Sequence, residues 1–89
     1  MQEQAIEIIN KLGLHARASA KLVNTAAGFA SQVEIEFGGQ TADAKSIMQV
    51  MMLAASMGSE VTLRTTGKDE VEAMQALTTL INNYFEEEE

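Results

Sequence analysis

The tightest constraint on this chain is the run Gln32-Val33-Glu34-Ile35-Glu36-Phe37, followed at once by Gly38-Gly39. Successive side chains of a strand point to opposite faces, so Val33, Ile35 and Phe37 share one face and Glu34 and Glu36 the other. One face is built for a core and the other for water, which is the pattern of an antiparallel sheet covered on one side only. The glycine pair supplies the positive φ of a two-residue hairpin turn and predicts a return strand near Gln40 to Asp43. Val61, Leu63 and Thr65, alternating with Thr62, Arg64 and Thr66, predict another half-buried strand. Ala5 to Ile9 reads as a short strand of mixed alternation.

Between these strands the apolar period changes from two to about three and a half. A helix is predicted from Ala16 to Ala27, with Leu22, Val23 and Ala26 inward, Arg17, Lys21 and Asn24 on another face, and Gly28 as its stop. Ser46 opens a second, shorter helix, and Ser46 with Gln49 has the spacing of a capping box; Met57-Gly58 closes that region. Asp69 with Glu72 repeats the N-cap spacing, and Val71, Met74, Leu77 and Ile81 trace the buried stripe of a last helix. The order is βαββαβα. The predicted fold class is α+β, an open-faced two-layer sandwich with a four-stranded antiparallel sheet and three helices on one face. Glu34, Glu36, Thr62 and Arg64 would decorate the open face. With 89 residues and no linker or repeat, residues 1–89 form a single domain.

Charge and composition narrow the function classes. Thirteen acidic residues oppose six basic ones, for a formal charge of −7, which argues against nucleic acid as a partner. Four of the acids, Glu86 to Glu89, form a terminal run expected to be solvated and frayed. One histidine and no cysteine leave no ligand cluster, so no metal and no cofactor are expected. No apolar stretch approaches the roughly 20 residues that span a bilayer, and MQEQAIEIIN lacks the features of a signal peptide. The expectation is a cytoplasmic, monomeric protein with no membrane insertion. Within this acidic chain, no acid falls between Glu7 and Glu34, whereas Lys11, Arg17 and Lys21 do.

The single histidine lies in that locally positive segment. A helix starting at Ala16 makes His15 its N-cap or the neighbour of the cap. The first amides of a helix point outward at its positive end and form a site for an anion. A neutral imidazole at such a place is a nucleophile, and a phosphoryl group taken up on it would face the backbone amides of Ala16 and Arg17 and the Arg17 guanidinium. Gly13 lets the loop approach closely, and arginine suits phosphate.

Gly13-Leu14-His15-Ala16-Arg17 resembles the active-site signature of the HPr family, the histidine-containing phosphocarriers of the phosphoenolpyruvate-dependent phosphotransferase system. Lys45-Ser46-Ile47-Met48 resembles that family's regulatory-serine segment, and length and element order agree from end to end. The resemblance implies a carrier rather than an enzyme. His15 would accept a phosphoryl group on Nδ1 from enzyme I and pass it to the IIA domain of a sugar permease, with Arg17 steadying the phosphate. It further implies a serine kinase/phosphorylase and transcriptional regulators as partners. One departure stands out: the family commonly has proline directly after this arginine, and here the residue is Ala18. Alanine favours the helix but leaves its first turn without a fixed φ and adds one more amide.

Ser46 is a good N-cap whether or not a kinase reads it, and the resemblance adds regulatory phosphorylation, which a helix start tolerates. The second helix carries more apolar residues than one face can bury. Val50 and Leu53 are expected to face the core, and the resemblance assigns Ile47, Met48 and Met51 to partner docking. Ala20, Lys21 and Asn24 could complete a transient surface around His15. The alternative from another class is a regulatory interaction module, a nitrogen-branch relative included, that binds partners through the short-helix face and seldom turns over phosphate. A small-molecule-binding domain of similar element order gains no support from GLHAR, and a Ser-His-Asp hydrolase lacks a recognisable oxyanion hole.

Overall fold

The computed structural model describes residues 1–86, so the predicted acidic tail lies, apart from Glu86, outside the described residues. Four strands, β1 (Gln2–Glu7), β2 (Gln32–Phe37), β3 (Gln40–Asp43) and β4 (Glu60–Thr66), alternate with helices α1 (Ala16–Ala27), α2 (Ile47–Met52) and α3 (Glu70–Asn82), and a short 3₁₀ turn, Tyr84–Glu86, follows. The sheet order is β1-β4-β2-β3, antiparallel throughout, and the three helices cover one face. This is the predicted open-faced sandwich.

The alternating residues fill the layer between sheet and helices. Val33 and Ile35 from β2, Val61 and Leu63 from β4, Leu22 from α1, and Leu77 and Ile81 from α3 are fully buried. Each such side chain contributes about 1.5–3 kcal/mol relative to exposure. Gly38 and Gly39 have φ of 61° and 82°, the left-handed pair that the β2–β3 turn demands. On the open face the Arg64 guanidinium donates to Glu3 and to Glu36, each at 2.6 Å, and so ties β1, β4 and β2 together across their water side. Glu36 foremost, then Glu3, raises the pKa of that guanidinium.

Five local expectations are corrected. β1 begins at Gln2 and ends at Glu7 rather than spanning Ala5 to Ile9, because its extent follows the register against β4, from Gln2↔Thr65 to Glu7↔Glu60. Ile8 lies past the strand yet is fully buried, held by hydrogen bonds to the loop at Gly58 and Ser59. α1 stops at Gly28 as expected, with φ −74° and ψ −6°. α2 ends at Met52, with Ala54 in left-handed geometry (φ 55°) turning the chain before Met57-Gly58 is reached. The capping box at Ser46 is only half formed: the Ser46 hydroxyl accepts from the Gln49 amide at 3.4 Å, while Gln49 Oε1 accepts from the Asp43 amide at 2.9 Å.

α3 supplies the last two corrections. Val71 is 46% exposed, and the buried stripe runs instead through Ala73, Met74, Leu77, Leu80 and Ile81. Asp69 occupies the N-cap position, but its carboxylate makes no capping bond. It accepts hydrogen bonds from the amides of Ala30 and Ser31, both at 2.9 Å, and from the Ser31 hydroxyl. The link from the α1–β2 connection to the start of α3 therefore passes through one carboxylate, and the Ser31 hydroxyl, then the Ala30 amide, hold its pKa below the usual value. Glu70, the first residue of α3, accepts from the Gly67 amide at 3.1 Å and so ties the turn before the helix to its start.

Candidate functional site

The loop 10–14 delivers His15 to the start of α1, and each step of that delivery has a visible cause. Gly13 has φ +65°, and a Cβ placed on it would stand 2.5 Å from the Ala55 carbonyl oxygen and 2.8 Å from Ser56 Cα. Only glycine fits there. The Leu14 amide donates to that same Ala55 oxygen at 2.9 Å, and the Leu14 side chain is buried. Asn10, also buried, donates from Nδ2 to the Gly13 carbonyl at 2.8 Å. The loop is thereby pinned to the segment that follows α2, which places the end of α2 beside the start of α1.

His15 is the N-cap of α1, with φ −75° and ψ −179°, and its side chain makes no capping bond to the helix amides. The ring is half-buried, at the surface rather than in the core. The first intrahelical bond runs from the Ser19 amide to the His15 carbonyl at 2.8 Å. The amides of Ala16, Arg17 and Ala18 precede that bond, at the positive end of a 12-residue helix with no acidic residue in its first turn. Arg17 is exposed, and Ala18 and Ser19 are buried on the side that meets the protein. An anion bonded to the His15 ring would thus meet a helix start and an arginine while staying open to a second protein.

The remaining predicted residues distribute as follows. Ala20 is half-buried and Asn24 exposed along α1. Lys21 has a further duty: its ammonium donates to the Phe85 carbonyl at 2.8 Å, tying α1 to the 3₁₀ turn, in which Tyr84, Phe85 and Glu86 all have left-handed φ. Met48 is 72% exposed, and Ile47 and Met51 are exposed beside it, whereas Val50 and Leu53 are buried as expected. α1 and α2 pack on one another, so the helix that carries the exposed methionines lies beside the one that His15 caps. Ser46 caps the far end of α2, about 9 Å along the helix from its C-terminal end, at 1.5 Å per residue.

Sequence reasoning missed several residues of this region. Ala55 acts through its backbone oxygen, which no side-chain pattern reveals. Asn10 and Ser19 are buried polar residues in apolar surroundings, the one signal that could have singled them out. Leu12, Met52 and Met57 are exposed apolar residues, neighbours in sequence of the pinned loop and of α2. Among the described residues no group of three or more His, Asp or Glu side chains could hold a metal ion, and no helix is long and apolar enough to cross a membrane.

Residues 2–83 match the family model described as "PTS HPr component phosphorylation site". The chain is 61% identical to the phosphocarrier protein HPr of Cupriavidus necator, over the whole of both chains. A crystal structure of HPr from Thermoanaerobacter tengcongensis superposes with a TM-score of 0.96 at 48% identity, covering all of both chains. The structure of an HPr dimer from the same organism matches with a TM-score of 0.79 at 48% identity, covering 98% of this chain and 100% of that one.

Proposed function

This chain belongs to the HPr family, the phosphocarrier proteins of the phosphotransferase system, and we propose that His15 is the residue on which it carries the phosphoryl group. The observation that carries this reading is the position of His15 itself: the N-cap of α1, with its side chain outside the capping scheme and at the surface. In the proposed step the Nδ1 lone pair attacks phosphorus of phosphorylated enzyme I. The donor's bond to phosphorus breaks and its electron pair leaves with the donor, while the proton of the acceptor ring stays on Nε2. Transfer to a IIA domain repeats this with His15 as the leaving group. Bonds from the Ala16 and Arg17 amides and the Arg17 guanidinium would hold the charge; each bond to a charged group contributes only about 1.5–3 kcal/mol. A carrier needs such moderate stabilisation, since a deep pocket would trap the phosphorylated form.

On this reading the protein is a substrate of enzymes, active as a single chain in the cytoplasm, and Ser46 is a site at which a kinase could tune it. Incubation with phosphoenolpyruvate and enzyme I tests the main step. One acid-labile phosphate per chain is expected, and none on His15→Ala; labelling unchanged by that substitution would overturn the assignment.

A second reading is favoured by the exposed Ile47, Met48, Met51 and Met52 on α2: a regulatory module that acts through this face. It predicts that His15→Ala leaves the relevant partner binding and its cellular effect intact, whereas charge placed on α2 abolishes both.

A further inference from the structure

One residue holds both carbonyls that flank His15. The Ser19 amide donates to the His15 carbonyl at 2.8 Å, the ordinary first bond of the helix, and the Ser19 hydroxyl donates to the Leu14 carbonyl at 3.1 Å. Ser19 is fully buried, so no solvent competes for that hydroxyl. The neighbouring groups are fixed as well: the Leu14 amide by Ala55, the Gly13 carbonyl by Asn10 Nδ2, and the Gly13 amide by the Asn10 carbonyl at 3.2 Å. From Gly13 through the His15 carbonyl, three consecutive carbonyls are thus engaged.

A buried hydroxyl on the inner side of α1 adds no apolar contact that alanine would lack, and alanine is the better helix former. Asn10 is stranger still, since its Oδ1 is buried with no hydrogen-bond partner among the described residues. Burying an unpaired carbonyl costs free energy. Both residues break the rule for a stable apolar interior at the one place where the backbone leads to His15, and local departures of that kind collect at functional sites. We infer that Ser19 is a positioning residue: by clamping the peptide groups on either side of His15 it fixes the direction of the ring relative to the amides at the start of α1, and so sets the rate of phosphoryl transfer. Asn10 braces the same clamp from the loop side. In-line transfer needs the accepting nitrogen aligned with phosphorus and its leaving group, and misplacement by about 1 Å can cost on the order of 100-fold.

This inference rests on His15 being the phosphoryl acceptor, and its test separates the two. Ser19→Ala, a change alanine's helix preference lets the fold tolerate, is compared with the unaltered protein in three measurements. In transfer from phosphorylated enzyme I, kcat should fall about tenfold, within the range that loss of alignment allows, with KM changed less than twofold. The ¹⁵N order parameters of the Leu14 and His15 amides should drop while those of α3 stay constant, and the thermal midpoint should fall only modestly, since alanine's helix preference offsets part of the lost Leu14 bond. Unchanged order parameters would overturn the clamp whether or not phosphate is carried, and an unchanged kcat would overturn its role in transfer. A large fall in thermal midpoint, with order lost in α3 as well and KM rising in step with the fall in kcat, would make Ser19 merely structural and overturn the inference too. Absence of label on the unaltered protein would instead strike the acceptor assignment, and the order parameters would still decide the clamp.

Discussion

Gly13 lies so close to Ala55 that a single methyl group on it would sit 2.5 Å from the Ala55 carbonyl oxygen. That contact, with the Leu14 amide bonded to the same oxygen, joins the loop before α1 to the loop after α2. Gly13→Ala must therefore both push the two loops apart and hold an L-residue at a φ of +65°. The left-handed conformation costs about 1–2 kcal/mol and the crowding about 1–3 kcal/mol. A loss of about 2–5 kcal/mol is expected in chemical denaturation, accompanied by slower labelling of His15.

Ser46 tests the separation of cap from regulation. Its hydroxyl accepts from the Gln49 amide at a long 3.4 Å, so Ser46→Ala should cost only about 0.5 kcal/mol, the low end for an N-cap. Ser46→Asp keeps an acceptor and adds charge where a helix start favours it. Its thermal midpoint should stay near that of the unaltered protein while transfer from enzyme I slows. A folding collapse of Ser46→Asp would favour a purely structural serine.

The face of α2 gives a clean contrast between docking and folding. Met48 is 72% exposed, so Met48→Asp should change stability by no more than about 0.5 kcal/mol. Surface plasmon resonance against enzyme I should nevertheless show binding weakened roughly fivefold or more, as for loss of an interface contact exceeding about 1 kcal/mol. Val50→Asp, on the buried side of the same helix, should instead unfold the protein.

Asp69 predicts part of the acid sensitivity. Its pKa in the folded protein is held below 3.8, first by the Ser31 hydroxyl and next by the Ala30 amide. A carboxyl with a depressed folded pKa contributes stability that is fully present above its unfolded value and is lost as pH falls through the folded one. Denaturation midpoints measured from pH 6 downward should thus fall more steeply for the unaltered protein than for Asp69→Ala. The two curves should converge at the acid end, and parallel curves would show that the carboxylate link contributes nothing.

The element plan needed no coordinates. Alternation in Gln32–Phe37 and in residues 61–66, with two glycines able to take positive φ, is local information, because strand facing and turn geometry depend on neighbours in sequence. The same holds for Ala16–Ala27 and for His15 at its start, since a helix repeats what its own residues prefer and ends where glycine intervenes. His15 at the helix start, Arg17 beside it and the capping serine Ser46 could accordingly be located from the chain.

Side chains that reach across the fold were decided elsewhere. Asp69 has the spacing of a cap but bonds to Ala30 and Ser31, and Lys21 lies among surface residues of α1 but bonds to Phe85. Gln49 passes over Ser46 to reach Asp43. β1 took its limits from β4, and Val71 fell outside the buried stripe once α3 had settled on the sheet. A hydrogen bond or a buried face depends on which partner lies within about 3 Å, and only packing brings residues distant in sequence that close. The sequence alone determined which groups can carry chemistry here; tertiary structure decided what holds them still, because a clamp such as Ser19 on Leu14 or Asn10 on Gly13 exists only after the loop has been pressed against Ala55.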